Sequence, residues 1–238
     1  MTILPLPMPK RMPASPILET VETSTGPKPV FSVVWLHGLG ADGHDFAPIV
    51  PELLRRDWPA LRFVFPHAPV LPITINGGHA MRAWYDIVSL DFGKVREDAA
   101  GVRRAIAEVE ALIAREHERG VPANRVILAG FSQGGAIALA AGLRREQPLL
   151  GLVALSTYLP LAAETLAEAT PQGLATPLFM AHGTQDPVVP LVAGQKSAEA
   201  LKALGMDASV RRYPMPHSVC AEEIRDLSDW MTARFAGG

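Results

Sequence analysis

The sequence predicts an α/β fold: a mostly parallel central sheet covered by helices on both faces. Two observations predict it. From about residue 30 onward, short apolar runs rich in branched residues alternate with longer segments of helical period, and glycine or proline punctuates the joins. The short runs are continuously apolar, the pattern of strands buried on both faces, and each is followed by a crossover segment.

In chain order, strands are expected at ILETVET (17–23), VFSVVWL (30–36), LRFVFP (61–66), RVILAG (125–130), LLGLVALS (149–156), PLFMA (177–181) and ASVRRYP (208–214). Helices are expected near 44–56, 94–119, 132–145, 190–204 and 218–235. The 94–119 segment puts Val102, Ile106, Val109, Leu112 and Ile113 on one face and its charges on the other, so the charge run reads as a solvated helix face. Residues 67–93 show no clear period. A loop of that length inside a compact domain is expected to cover or line a site. The proline-rich residues 1–16 read as a mobile lead-in, in which Lys10 and Arg11 follow the apolar residues, whereas a secretory signal places its basic residues first. With no internal repeat and no low-complexity linker, residues 1–238 read as one domain.

Composition excludes several classes. Twenty-two Lys and Arg against 24 Asp and Glu, interspersed along the chain, give no basic footprint for nucleic acid. No apolar stretch approaches the roughly twenty residues that span a bilayer, so stable membrane insertion is not expected and a cytoplasmic location is. The single cysteine, Cys220, cannot form an internal disulfide, which fits a reducing compartment. Seven histidines are scattered singly, without H-E-x-x-H or paired Cys/His spacing, so no metal site is expected. Nothing in the sequence marks an interface, and a homodimer is left open.

The most informative stretch is VILAGFSQGG, residues 126–135. Gly130-Phe131-Ser132-Gln133-Gly134 sits between an expected strand and an expected helix, the context of a nucleophile elbow. Such a turn strains its serine and needs small residues two before and two after it. A serine hydroxyl is a poor nucleophile and needs a base, and the base needs an acid to orient it. Asp186, in the turn after the 177–181 strand, is the natural acid, with Asp207 and Glu222 as weak substitutes. His217, after the 208–214 strand, is the natural base. The order Ser132, Asp186, His217 places each group at the end of its own strand. The Gln133 N–H is the first expected oxyanion donor. The second is the Leu39 N–H, in the loop HGLGADG after the 30–36 strand. His37 reads as a brace for that loop, while Asp42 and His44 read as capping residues.

Taken together, LHGLGADGHDF, FPHAP, MRAWYDI, GFSQGG, STYLP, HGTQDPVVP and YPMPHSV resemble the phospholipase/carboxylesterase family of α/β-hydrolases from about residue 30 to the carboxyl terminus. The resemblance implies an α/β-hydrolase fold without a large cap domain, and hydrolysis of carboxylic esters or thioesters without a metal or organic cofactor. It carries the triad onto Ser132, Asp186 and His217, and the oxyanion hole onto Leu39 and Gln133. The family's substrate groove suggests Leu39, Ile75, Trp84 and Leu159 as acyl-pocket residues, with Trp84 and Tyr85 equally readable as core anchors. The expected partner is a small ester or thioester of short to medium acyl length. A lysophospholipase or acyl-protein thioesterase is the alternative, and a catalytically silent binding scaffold is the competitor from another class.

Overall fold

The computed structural model describes residues 17–89 and 97–237. Among these, the strands are β1 (Thr20–Ser24), β2 (Phe31–Leu36), β3 (Leu61–Pro66), β4 (Val70–Ile73), β5 (His79–Arg82), β6 (Val126–Phe131), β7 (Gly151–Leu155), β8 (Leu178–Gly183) and β9 (Ala208–Tyr213). The helices are α1 (Val50–Leu53), α2 (Ala99–Glu118), α3 (Gln133–Leu143), α4 (Ala162–Ala167), α5 (Pro171–Leu174), α6 (Leu191–Ala203) and α7 (Ala221–Phe235). Seven strands form one sheet in the order β1-β3-β2-β6-β7-β8-β9. Only β1 runs antiparallel to its neighbour; the other pairs are parallel.

The continuous apolar runs behave as strands buried on both sides. In β2, Val34 and Leu36 join the core under α2, α3 and α6, while Val33 and Trp35 join the core under α1 and α7. The same alternation continues through β6 and β7, so the sheet separates two apolar layers. Every residue of α3 is buried, as its apolar, glycine- and alanine-rich sequence requires. In α2, Val102, Val109, Leu112 and Ile113 are buried, and Asp98 caps its start by accepting the Gly101 N–H at 2.8 Å.

Several expectations are corrected. The 44–56 helix is a 3₁₀ turn at Ala47–Ile49 followed by the single turn α1; each piece has a proline at its start, which cannot supply the N–H that a longer helix would need. The first strand begins at Thr20, three residues later than expected. Within 67–93, β4 and β5 form an antiparallel hairpin. Its turn contains Gly77 and Gly78 at φ 66° and 82°, a conformation that favours glycine, and of the eight strand residues only Ile73 is buried. A strand pair with so little of itself in the core shows no apolar alternation. Helices α4 and α5 were not expected. The lead-in 1–16, residues 90–93 of the long loop and residues 94–96 of the expected helix lie outside the described residues. Among the described residues, no helix is long and apolar enough to cross a membrane.

Candidate active site

Ser132 joins β6 directly to α3 at φ 53° and ψ −120°. A non-glycine residue at such a positive φ costs on the order of 1–3 kcal/mol, so neighbouring bonds must hold it there. The Ser132 N–H donates to the Leu155 carbonyl at 2.9 Å. Its own carbonyl accepts from the Thr157 hydroxyl at 2.7 Å and from the Ala136 N–H at 3.0 Å. The flanking glycines are demanded by close approach: a Cβ on Gly130 would lie 2.3 Å from the Gly134 backbone, and one on Gly134 would lie 2.3 Å from the Leu36 carbonyl oxygen. The G-x-S-x-G spacing is thus a packing requirement of the turn.

The structure brings Ser132, Asp186 and His217 together beyond the carboxyl ends of β6, β8 and β9. His217 Nε2 is 2.9 Å from Ser132 Oγ, and its Nδ1 is 2.7 Å from Asp186 Oδ2. A carboxylate only accepts, so Nδ1 carries the proton and Nε2 presents its lone pair to the serine hydroxyl. The Asp186 side chain is fully buried, and its Oδ1 accepts the N–H groups of Val188 at 2.8 Å and Val189 at 2.9 Å. The substitute acids lie elsewhere. Asp207 precedes β9, at the opposite end of that strand from His217, and Glu222 is exposed on the first turn of α7.

The backbone N–H groups of Leu39 and Gln133 have no hydrogen-bond partner among the described residues. The Gln133 N–H opens α3, where the helix dipole favours negative charge. His37 braces the loop that carries Leu39: its Nδ1–H donates to the Gly38 carbonyl at 2.7 Å, and its Nε2 accepts the Ala68 N–H at 3.1 Å. Burial holds His37 below the ordinary histidine range, so the ring stays neutral, as that pairing requires. The Gln133 side chain adds a tie that the sequence did not reveal. Its Oε1 accepts the Trp84 N–H at 2.9 Å, and its Nε2 donates to the Tyr85 carbonyl at 2.7 Å.

An apolar cleft of about 130 Å³ opens over Ser132, with Leu39, Ile75, Tyr85, Tyr158 and Val188 in its walls. Two acyl-pocket expectations are corrected here. Trp84 is fully buried beneath the cleft, where its indole N–H donates to the His37 carbonyl at 2.9 Å, so it anchors the core. Leu159 is also buried; it faces a neighbouring groove on α6 and donates its backbone N–H to Ser197 Oγ. Tyr158, one residue earlier, takes the wall position. Its hydroxyl meets that of Tyr85 at 3.0 Å, and burial pushes it up to about 12. The sequence signal for Val188 is the apolar pair Val188–Val189, set between Pro187 and Pro190 just after Asp186.

The arrangement defines a class first. A serine on a strained strand-to-helix turn, a histidine and aspartate from later strand ends, and two unpaired amides beside the serine are the working parts of an α/β-hydrolase. The chain belongs to the phospholipase/carboxylesterase family, whose model matches residues 18–234. It is 41% identical over 212 residues to acyl-protein thioesterase 1 of Neurospora crassa, covering 85% of this chain and 86% of that one. With acyl-protein thioesterase 1 of Mycosarcoma maydis the identity is 39% over 227 residues, covering 89% and 94%. Among solved structures, Arabidopsis thaliana SOBER1 superposes with a TM-score of 0.81 at 31% identity, covering 86% of this chain and 98% of that one. Zea mays acyl-protein thioesterase 2 gives 0.80 at 28% identity, covering 91% and 99%. The chain is a hydrolase of the α/β-hydrolase fold.

Proposed function

We propose that this protein is a serine carboxylesterase that hydrolyses short- to medium-chain acyl esters and thioesters through an acyl-enzyme. The observation that carries the reading is the hydrogen-bonded line from Ser132 through His217 to Asp186, at 2.9 and 2.7 Å, set beside two unpaired amides at the floor of an apolar cleft. His217 takes the Ser132 proton as Oγ attacks the acyl carbon. Asp186 holds the imidazolium, and the Leu39 and Gln133 amides receive the oxyanion. The alcohol or thiol leaves with the proton returned by His217, and water then repeats the sequence on the acyl-enzyme. Relatives named acyl-protein thioesterase favour thioesters as a second reading, in which the leaving group is a protein thiol. A cytoplasmic location and a small ester partner belong to the same proposal.

The test is kcat/KM for p-nitrophenyl esters from acetyl to palmitoyl, beside acyl thioesters followed by thiol release, for wild type and Ser132→Ala. Activity lost in the variant, with fluorophosphonate labelling at Ser132 alone, supports the triad. Label on another residue, or an active Ser132→Ala, refutes it. An optimum at palmitoyl would move the substrate to the lysophospholipase or acyl-protein thioesterase class.

A further inference from the structure

His182, near the end of β8, takes no part in the steps above, yet it is only 4% exposed and sits beside the proposed acid. Its Nε2 lies 2.8 Å from the Val189 carbonyl oxygen and 3.4 Å from Asp186 Oδ2. A carbonyl only accepts, so Nε2 carries the proton. That one N–H therefore acts at two places. It closes the turn whose Val188 and Val189 amides hold Asp186 Oδ1, and it turns its positive end toward Oδ2, the oxygen that accepts the hydrogen bond from His217 Nδ1–H. Helix α6 closes over the other edge of the ring, where Nδ1 is buried without a partner and a Cβ on Gly194 would lie 2.6 Å from it. A protonated ring would bury an unpaired N–H there, and burial accordingly holds His182 below the ordinary histidine range.

We propose that His182 is a positioning residue for the hydrolysis, fixing the Asp186 carboxylate that in turn orients His217. The inference rests on the Ser132, His217 and Asp186 reading. The ionisable groups facing Asp186 are His217, from the segment between β9 and α7, and His182, from β8. Those acting on His182 are Asp186 and His217.

The discriminating variants are His182→Phe, which keeps a ring but lacks the N–H, and His182→Gln, whose amide nitrogen reaches toward the Nε2 position. Misplacing a reacting group by about 1 Å costs on the order of a hundredfold, so His182→Phe should lose roughly tenfold to a hundredfold in kcat, with KM within about twofold. The acid limb of kcat/KM should move to higher pH, because Asp186 Oδ2 loses one donor and holds the imidazolium more strongly. His182→Gln should recover most of the lost kcat. A folded His182→Phe with wild-type kcat and an unmoved acid limb overturns the proposal, as does His182→Gln no better than His182→Phe. If His182→Phe does not fold, His182→Asn, whose nitrogen falls at the Nδ1 position, replaces it: activity equal to that of His182→Gln overturns the proposal, and lower activity supports it. Wild-type labelling at Ser132, or its absence, tests the triad separately.

Discussion

Replacing Glu223 with glutamine should make the protein more stable at neutral pH and no more stable at pH 4.5. Glu223 lies in the first turn of α7 and is 1% exposed, with neither carboxyl oxygen in full hydrogen-bond geometry. Burial pushes its carboxyl up to about 8; the Cys220 backbone N–H pulls the other way and offsets this only in part. The sign follows from the two states. The unfolded chain releases this proton near the ordinary value of 4.5, and the folded protein keeps it until about pH 8. Folding between those values therefore takes up a proton, and stability falls as pH rises at about 1.4 kcal/mol per pH step. At pH 7 the loss reaches about 3 kcal/mol. Glutamine matches the protonated acid in shape and does not titrate, so Glu223→Gln should melt about 6 to 12 °C higher at pH 7. Calorimetric or circular-dichroism melts of both proteins from pH 4.5 to 8 provide the assay, and the gap should widen with pH. A variant that melts at or below the wild-type temperature at pH 7, or a gap independent of pH, would refute the account of a buried neutral carboxyl.

Gly130→Ala should leave little folded protein, because its Cβ would sit 2.3 Å from the Gly134 backbone; soluble expression and a melt within about 1 kcal/mol of wild type would contradict that packing. Trp84→Phe removes the donor to the buried His37 carbonyl and should destabilise by about 1–3 kcal/mol, measured by chemical denaturation. Ile75→Trp should shift the acyl-length optimum toward shorter esters at an unchanged melting temperature, and an identical chain-length profile would remove Ile75 from the cleft wall. With a histidine base, kcat/KM should fall on the acid side of its profile as the base is protonated; a flat profile down to pH 4 in folded protein would be incompatible with it.

The parts of this fold that can be read from sequence are those where one local pattern has one physical cause. Strands β2, β6, β7 and β8 are buried on both faces and so appear as predominantly apolar runs. The elbow is legible because backbone contacts at 2.3 Å admit only glycine at 130 and 134. The hairpin β4–β5 was not legible, since it is held by distant bonds such as Gly40 N–H to the Arg82 carbonyl and by the Thr74 hydroxyl bonding Asp86. Trp84 and Leu159 show the same limit inside the site: each lies beside a wall residue, Tyr85 or Tyr158, and which neighbour faces the cleft depends on tertiary contacts. Glu223 is the sharpest case. In AEEIRD two identical residues stand side by side, yet one step around the helix separates exposed Glu222 from buried Glu223.

Ser132 and His217 lie 85 residues apart and hang from different strands, and β8, the strand before Asp186, must pair between β7 and β9 before either histidine nitrogen finds its partner. A chain folding from its amino end can complete the elbow on β6 and still hold an inert hydroxyl. Appearance of the proposed esterase activity during refolding would thus time the docking of β9 and α7, a closing event of the whole sheet, and would lag any probe of β2, β3 and β6.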